Sequence, residues 1–266
     1  MLANYHTHTY RCNHANGSDE EYVQKAIAEN LQILGFSDHS PNAPRKDGYR
    51  SYYKMLPEET EEYYSSIRSL RDKYSNDIEI HVGFEAEYFR STWENEKEFL
   101  KKHPPEYLIL GQHYVDFEYL NGKHGNHSDR AASPCDDRER IKPFADTVIE
   151  AMSTGLFSCV AHPDLLTYTG KDQDYYLSEM ARIIEASKKY GVPLEYNLLG
   201  QSDSRQYPRL DFWRLAGELG VPAVLGCDAH SPSRVADKNE IAEAKRRLSE
   251  CNVKILDKIE LIKPFK

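Results

Sequence analysis

Seven strand-sized segments, alternating with helical ones, constrain this chain more than any other feature. They are the stretch through His6 and His8, Phe36–His39, Ile78–Glu85, Tyr107–His113, Ser158–His162, Pro193–Asn197 and Pro222–His230. Six are followed by clear helical patterns and one by a weaker pattern. Alternation of this kind predicts a parallel sheet with right-handed crossovers. Leu108–Leu110 and Ala223–Leu225 are continuously apolar, as expected of strands covered on both faces. No linker, repeat or composition shift interrupts residues 1–266, so the expectation is one α/β domain. A closed barrel and an open doubly wound sheet both fit at this point.

The helical segments carry their own punctuation. Ser18 with Glu21 three residues on reads as a capping box. Val23, Ala26, Ile27, Leu31 and Leu34 then recur at helical spacing, with Gly35 as the closing residue. Further helices are predicted over Glu58–Tyr74, Glu94–Lys102, Ile141–Thr154, Asp174–Tyr190, Leu210–Leu219 and Val235–Cys251. The tail from Val253 to Phe265 reads as a short strand or hairpin packed on the body. The long stretch up to Met55 holds Arg45, Lys46, Arg50, Tyr49, Tyr52 and Tyr53, and fits a lid or a solvated surface loop.

The histidines fall in a pattern. His6 and His8 lie two apart on a strand and so point the same way, as a chelating pair can. His14, Asp38-His39, Glu85, His113, His162, Asp228 and His230 follow, at or just past the C-terminal ends of strands. In a barrel all such ends meet at one rim. In an open sheet the first and last would lie far apart, so the ligand positions favour the barrel. Any one histidine is more often a cap, core or surface residue than a ligand. Seven of the eleven sharing one placement is a different matter. His81, His103, His124 and His127 do not share it and read as solvated. Glu87 is the sequence rival of Glu85, two residues along the same face.

Composition excludes several classes. The formal charge is −9 and the pI about 5.7, with no basic stripe for nucleic acid. No apolar run is long enough to span a bilayer, and no signal peptide is apparent, so the expected location is the cytoplasm. Cys12, Cys135, Cys159, Cys227 and Cys251 form no C-x-x-C pair and are expected to be free thiols.

Together, His6-Thr-His8 with His14, Ser37-Asp38-His39, Gly83-Phe-Glu85, His113, His162-Pro163 and Asp228-Ala-His230 resemble the PHP (polymerase and histidinol phosphatase) superfamily. The start Tyr5-His-Thr-His-Thr-Tyr and Cys12-Asn-His14 look like its histidinol-phosphate phosphatase branch. The resemblance implies a distorted (β/α)7 barrel, a trinuclear centre of divalent ions and hydrolysis of a small phosphate ester. It implies one metal held by His6, His8, Glu85 and Asp228. A second would share Glu85 and add His113 and His162, and a third would use His14, His39 and His230. Nitrogen and oxygen ligands suit Zn, Fe or Mn alike. The expected substrate is L-histidinol phosphate, attacked in line by a water bridging two metals and deprotonated near neutral pH.

Asp38 is expected either to orient His39 or to donate a proton. Arg205 is the expected phosphate-side cation, with Arg45 and Arg50 behind it, and Asp116 and Glu118 would meet the substrate ammonium. The rivals are a nuclease or protein-tyrosine phosphatase of the same superfamily, and a non-catalytic metal-binding protein.

Overall fold

The computed structural model describes residues 1–41, 51–115 and 130–265. The loop residues Arg45, Lys46, Tyr49 and Arg50 lie outside this range, as do Asp116, Glu118, His124 and His127. Eight parallel strands run in chain order across one curled sheet. They are β1 (Ala3–Asn4), β2 (Ile33–His39), β3 (Glu79–Ala86), β4 (Leu108–Leu110), β5 (Cys159–Val160), β6 (Leu194–Asn197), β7 (Ala223–Gly226) and β8 (Ile255–Leu256). The helices are α1 (Asp19–Ala28), α2 (Thr60–Lys73), α3 (Trp93–Lys102), α4 (Ile141–Ser153), α5 (Gln173–Tyr190), α6 (Leu198–Ser202), α7 (Leu210–Glu218) and α8 (Lys238–Glu250). No described helix is long and apolar enough to cross a membrane.

The distortion of the barrel lies at its seam. The tail supplies the eighth strand, which pairs with the start of β7 at Ala223 and Val224. The continuation of β1 takes the other end of β7, where Thr7 bridges Ala229 in parallel. His8 N–H donates to Ala229 O at 3.0 Å and Ala229 N–H to His6 O at 3.3 Å. The first and seventh segments therefore join only at the C-terminal rim, beside the two histidines.

Alternation along the strands sorts side chains into two cores. Phe36, Val82, Phe84, Leu108, Leu110, Leu194, Tyr196 and Leu225 pack outward beneath the helices, against residues such as Tyr63, Ile67, Phe144, Met180 and Trp213. Burying each such side chain contributes roughly 1.5–3 kcal/mol. Ala3, Tyr5, Tyr107, Ile109, Cys159, Ala161 and Val224 fill the inside, with Ile259 of the tail packed among them. The same alternation turns Glu85 and Glu195 inward, because Phe84, Leu194 and Tyr196 face the helices.

Several elements differ from the sequence expectation: β1 ends at Asn4, so His6 and His8 lie just past it and not on it, and α8 starts at Lys238 and not at Val235. The capping box at Ser18 forms, but α1 stops at Ala28 and does not run on to Leu34. Asn30 adopts a left-handed conformation with φ of 60°, which asparagine tolerates, and Leu31 N–H folds back to Ala26 O. Leu34 and Gly35 then belong to β2. The five-residue α6 was not expected, and the Asn197 side chain caps it by accepting from Gly200 N–H.

Candidate metal centre

All nine candidate ligands meet at one rim. Glu85 stands at the centre. Its Oε1 lies 2.9 Å from His162 Nε2, 3.5 Å from His113 Nε2 and 3.6 Å from His6 Nε2. Its Oε2 lies 2.8 Å from His39 Nδ1 and 3.6 Å from His8 Nε2. Asp228 Oδ1 closes the far side, 3.1 Å from His8 Nε2 and 3.5 Å from His6 Nε2. His14 and His230 form the outer edge, with their Nε2 atoms 3.0 Å apart.

This ring exists because small residues make way for it. A Cβ on Gly111, just past β4, would overlap the Glu85 carboxylate, so glycine there leaves it room. His162 and Asp228 both hold positive φ, 30° and 48°, where non-glycine residues are strained by roughly 1–2 kcal/mol. Strain of this kind persists where surrounding contacts dictate it.

The donor chemistry fits divalent cations. His14 Nδ1 donates to Cys12 O at 2.7 Å and His230 Nδ1 to Asp228 O at 3.0 Å. A carbonyl can only accept, so each Nε2 carries a lone pair, and these two lone pairs face one another. His6 and His8 repeat the arrangement. Their Nδ1 atoms turn to Glu195 at 2.8 Å and Asp38 at 3.3 Å, and their Nε2 atoms meet at 3.1 Å. Ligand atoms around a tetrahedral zinc with bonds of 2.0–2.1 Å stand about 3.3 Å apart. Glu85 Oε2 is buried with no hydrogen-bond donor at a proper angle, which again suits a cation. Sets of donor atoms lie within 4.8 Å of one another in His6–His8–Asp228, His6–Glu85–His162 and His8–His39–His230.

Proton affinities across the ring are set by burial and by neighbouring charge. Burial opposes charge on His6 and His8, yet Glu195, Asp228, Glu85 and Asp38 outweigh it and hold both pKa values well above the usual imidazole value. Burial and the positive charge on His8 push His39 down to about 4 and His230 well below its usual value. Burial also opposes ionisation of Glu85, but His113, His6 and His39 hold it well below the usual carboxylate value.

Glu87, the rival of Glu85, stands behind the ring. Its Oε1 faces His113 Nδ1 at 3.4 Å and its Oε2 pairs with Lys54 Nζ at 2.6 Å. The Asp38 carboxylate turns to His8 and Thr9. Its Oδ1 accepts from His8 Nδ1, and its Oδ2 from Thr9 N–H at 3.1 Å and from the Thr9 hydroxyl. It is fully buried, and its carboxylate meets the His8 ring and not the His39 ring. Cys12 is buried and donates to Thr9 O, within donor reach of His14 and His230. His81 pairs with Glu79 and His103 with Glu61, away from the ring.

A cavity of about 520 Å³ opens over His14, His39, His113, His162, Asp228 and His230. Arg205 lines it, bonded to Tyr207 OH and Asp203 Oδ2 at 3.0 Å each. Lys54, Arg130 and Arg234 also line it and were not anticipated, because a loop cation has no local signal separating it from a solvated one. Arg130 stacks over Tyr53, 5.0 Å from the ring centroid, and among the described residues no carboxylate pairs with it. Glu195 was missed too, since it reads as a polar position in an ordinary strand.

A parallel barrel whose C-terminal rim gathers seven imidazoles and two carboxylates under an open, cation-lined cavity belongs to the class of metal-dependent hydrolases. The PHP domain model matches residues 4–198, and the chain belongs to the PHP family. It is 30% identical over 240 residues to a protein of Deinococcus radiodurans named "Probable histidinol-phosphatase", with 88% of each chain covered. It is 24% identical to the histidinol-phosphatase of Bacillus subtilis, over 86% of this chain and 94% of that one. The crystal structure of histidinol phosphate phosphatase from Lactococcus lactis, complexed with zinc, L-histidinol and phosphate, has the same fold. Its TM-score is 0.71 at 18% identity, over 97% of this chain and 98% of that one.

Proposed function

We propose that this chain hydrolyses L-histidinol phosphate to L-histidinol and phosphate, with three divalent ions, as a cytoplasmic step of histidine biosynthesis. The observation that carries the reading is the ring of lone-pair donors around Glu85, opening into a cavity with cations on its wall. The names of the relatives in Deinococcus radiodurans and Bacillus subtilis support the choice of ester.

Divalent ions bound there would activate water near neutral pH and neutralise charge on the phosphoryl oxygens. His6, His8, Glu85 and Asp228 would hold the first. Glu85 with His113 and His162 would hold the second, and His14, His39 and His230 the third. The remaining residues bind and orient. Asp38 fixes His8 so that its Nε2 faces the ring. Glu87 does the same for His113. Arg205 and Arg130 reach the cavity from opposite loops and meet the phosphate dianion, which their guanidinium groups suit. Tyr207 holds Arg205 in place.

The test compares phosphate release from histidinol phosphate, phosphotyrosine and a dinucleotide by the fully metallated protein. Histidinol phosphate is expected to be turned over at least about 100-fold more efficiently than the others. Preference for phosphotyrosine or the dinucleotide would reassign the substrate within the family. Negligible turnover of histidinol phosphate would overturn the reading.

A further inference from the structure

Candidate ligands lie on or just past the ends of β1 to β5 and of β7, and none lies on or just past β6. Its two inward side chains are nevertheless both committed to them. Glu195, 2% exposed, takes a hydrogen bond from His6 Nδ1 at 2.8 Å on Oε1 and from His162 N–H at 2.9 Å on Oε2. Asn197, fully buried, donates through Nδ2 to Asp228 Oδ2 at 3.1 Å and to Glu195 Oε2 at 3.3 Å. Its own Oδ1 is fixed by Gly200 N–H at 2.8 Å, at the start of α6. The two ligand residues with left-handed backbone, His162 and Asp228, are both among the three that this pair grips, the third being His6. Across the ladder, Asn197 faces Gly226, where a Cβ would overlap the Glu195 carboxylate.

We propose that Glu195 and Asn197 are positioning residues that set the metal affinity of the inner ring, leaving the outer His14–His39–His230 position untouched. The inference rests on the metal-dependent reading above. A carboxylate on the Nδ1–H of an imidazole fixes its tautomer and strengthens its other nitrogen as a ligand. Glu195 does this for His6. Asn197 occupies Asp228 Oδ2 and so presents Oδ1 to His6 and His8, at 3.5 and 3.1 Å. β6 thus supports the same metal position that His6, His8 and Asp228 would form. Among the described residues, neither side chain hydrogen-bonds to His14, His39 or His230.

Zinc content per chain, measured across a series of buffered free-zinc concentrations, tests this. The wild type should fill in resolved steps, and His230→Ala should remove the step belonging to the outer position. Glu195→Gln keeps the shape and removes the charge. It should raise the free-zinc midpoint of an inner step by about 10- to 100-fold and leave the outer step in place. Gly226→Ala, which displaces the carboxylate without altering it, should move the same step. Unchanged midpoints in Glu195→Gln, or equal shifts in every step, would overturn the proposal. A wild-type chain that takes up no zinc would instead overturn the metal reading itself, and this proposal with it.

Discussion

At Gly111 a single methyl group stands between a working ring and a broken one. The missing Cβ leaves room for the Glu85 carboxylate, which touches five of the seven ring histidines. Gly111→Ala should therefore push Glu85 aside, lower metal content per chain and cut activity at least about 100-fold, read by metal analysis and phosphate release. Residues differ in how much of this is legible beforehand. Glu85 could be picked out because it ends a strand behind Gly83 and stands in step with five other strand ends. Glu195 is the same residue type in a similar strand, and its neighbours Leu194 and Tyr196 are ordinary. Only the barrel brings it under His6. Asp38 was legible as important, but its partner was not. Its carboxylate turns to His8, thirty positions away in the chain, and not to its neighbour's ring.

Elements hold the ring in place through their ends. α1 starts at a capping box in which Glu21 N–H donates to Ser18 Oγ and Ser18 N–H to Glu21 Oε2. Ser18→Ala should cost about 1 kcal/mol in denaturant unfolding with activity unchanged. Glu106 ties α2 to β3, accepting from Arg71 at 2.7 Å and from Val82 N–H at 3.2 Å. Burial opposes its charge, but His81, Arg71 and Val82 N–H outweigh it and hold its pKa at about 2. Because the folded value lies below the unfolded value near 4.5, the stabilisation is complete above that pH. It is lost as pH falls through about 2. Glu106→Gln should lower stability by about 1 kcal/mol at pH 7, after allowance for its solvent contact. Thermal scans should show that difference shrinking below pH 4.5 and vanishing near pH 2. The start of α1 was easier to read than its end. Leu31 and Leu34 keep helical phase with Val23, yet Asn30 turns left-handed and the phase then belongs to a strand. An amphipathic period describes which side is buried and not where the backbone stops.

In the whole molecule, closure of the barrel and assembly of the site coincide. The bridge between Thr7 and Ala229 lies between His6 and His8 on one side and Asp228 and His230 on the other. Metal held by residues from both ends of the chain would cross-link that seam. Chelation should abolish phosphatase activity and lower Tm, with both restored by Zn or Mn. At a free metal level of 100 times Kd, a single site would contribute about 2.7 kcal/mol. A chelated protein with unchanged Tm and full activity would refute this.

The sequence by itself determined the alternation of strands and helices, and with it the rim on which ligands could gather, because periodicity and side-chain direction are local properties of the backbone. Tertiary structure alone decided that the Glu85 carboxylate reaches five of the ring histidines, that Asp38 turns to His8, and that Glu195 and Asn197 of β6 bond the ligand residues. It also decided which loop cations face the cavity. Those outcomes depend on distances between residues remote in the chain, set by barrel curvature and by the space that Gly111 and Gly226 leave open.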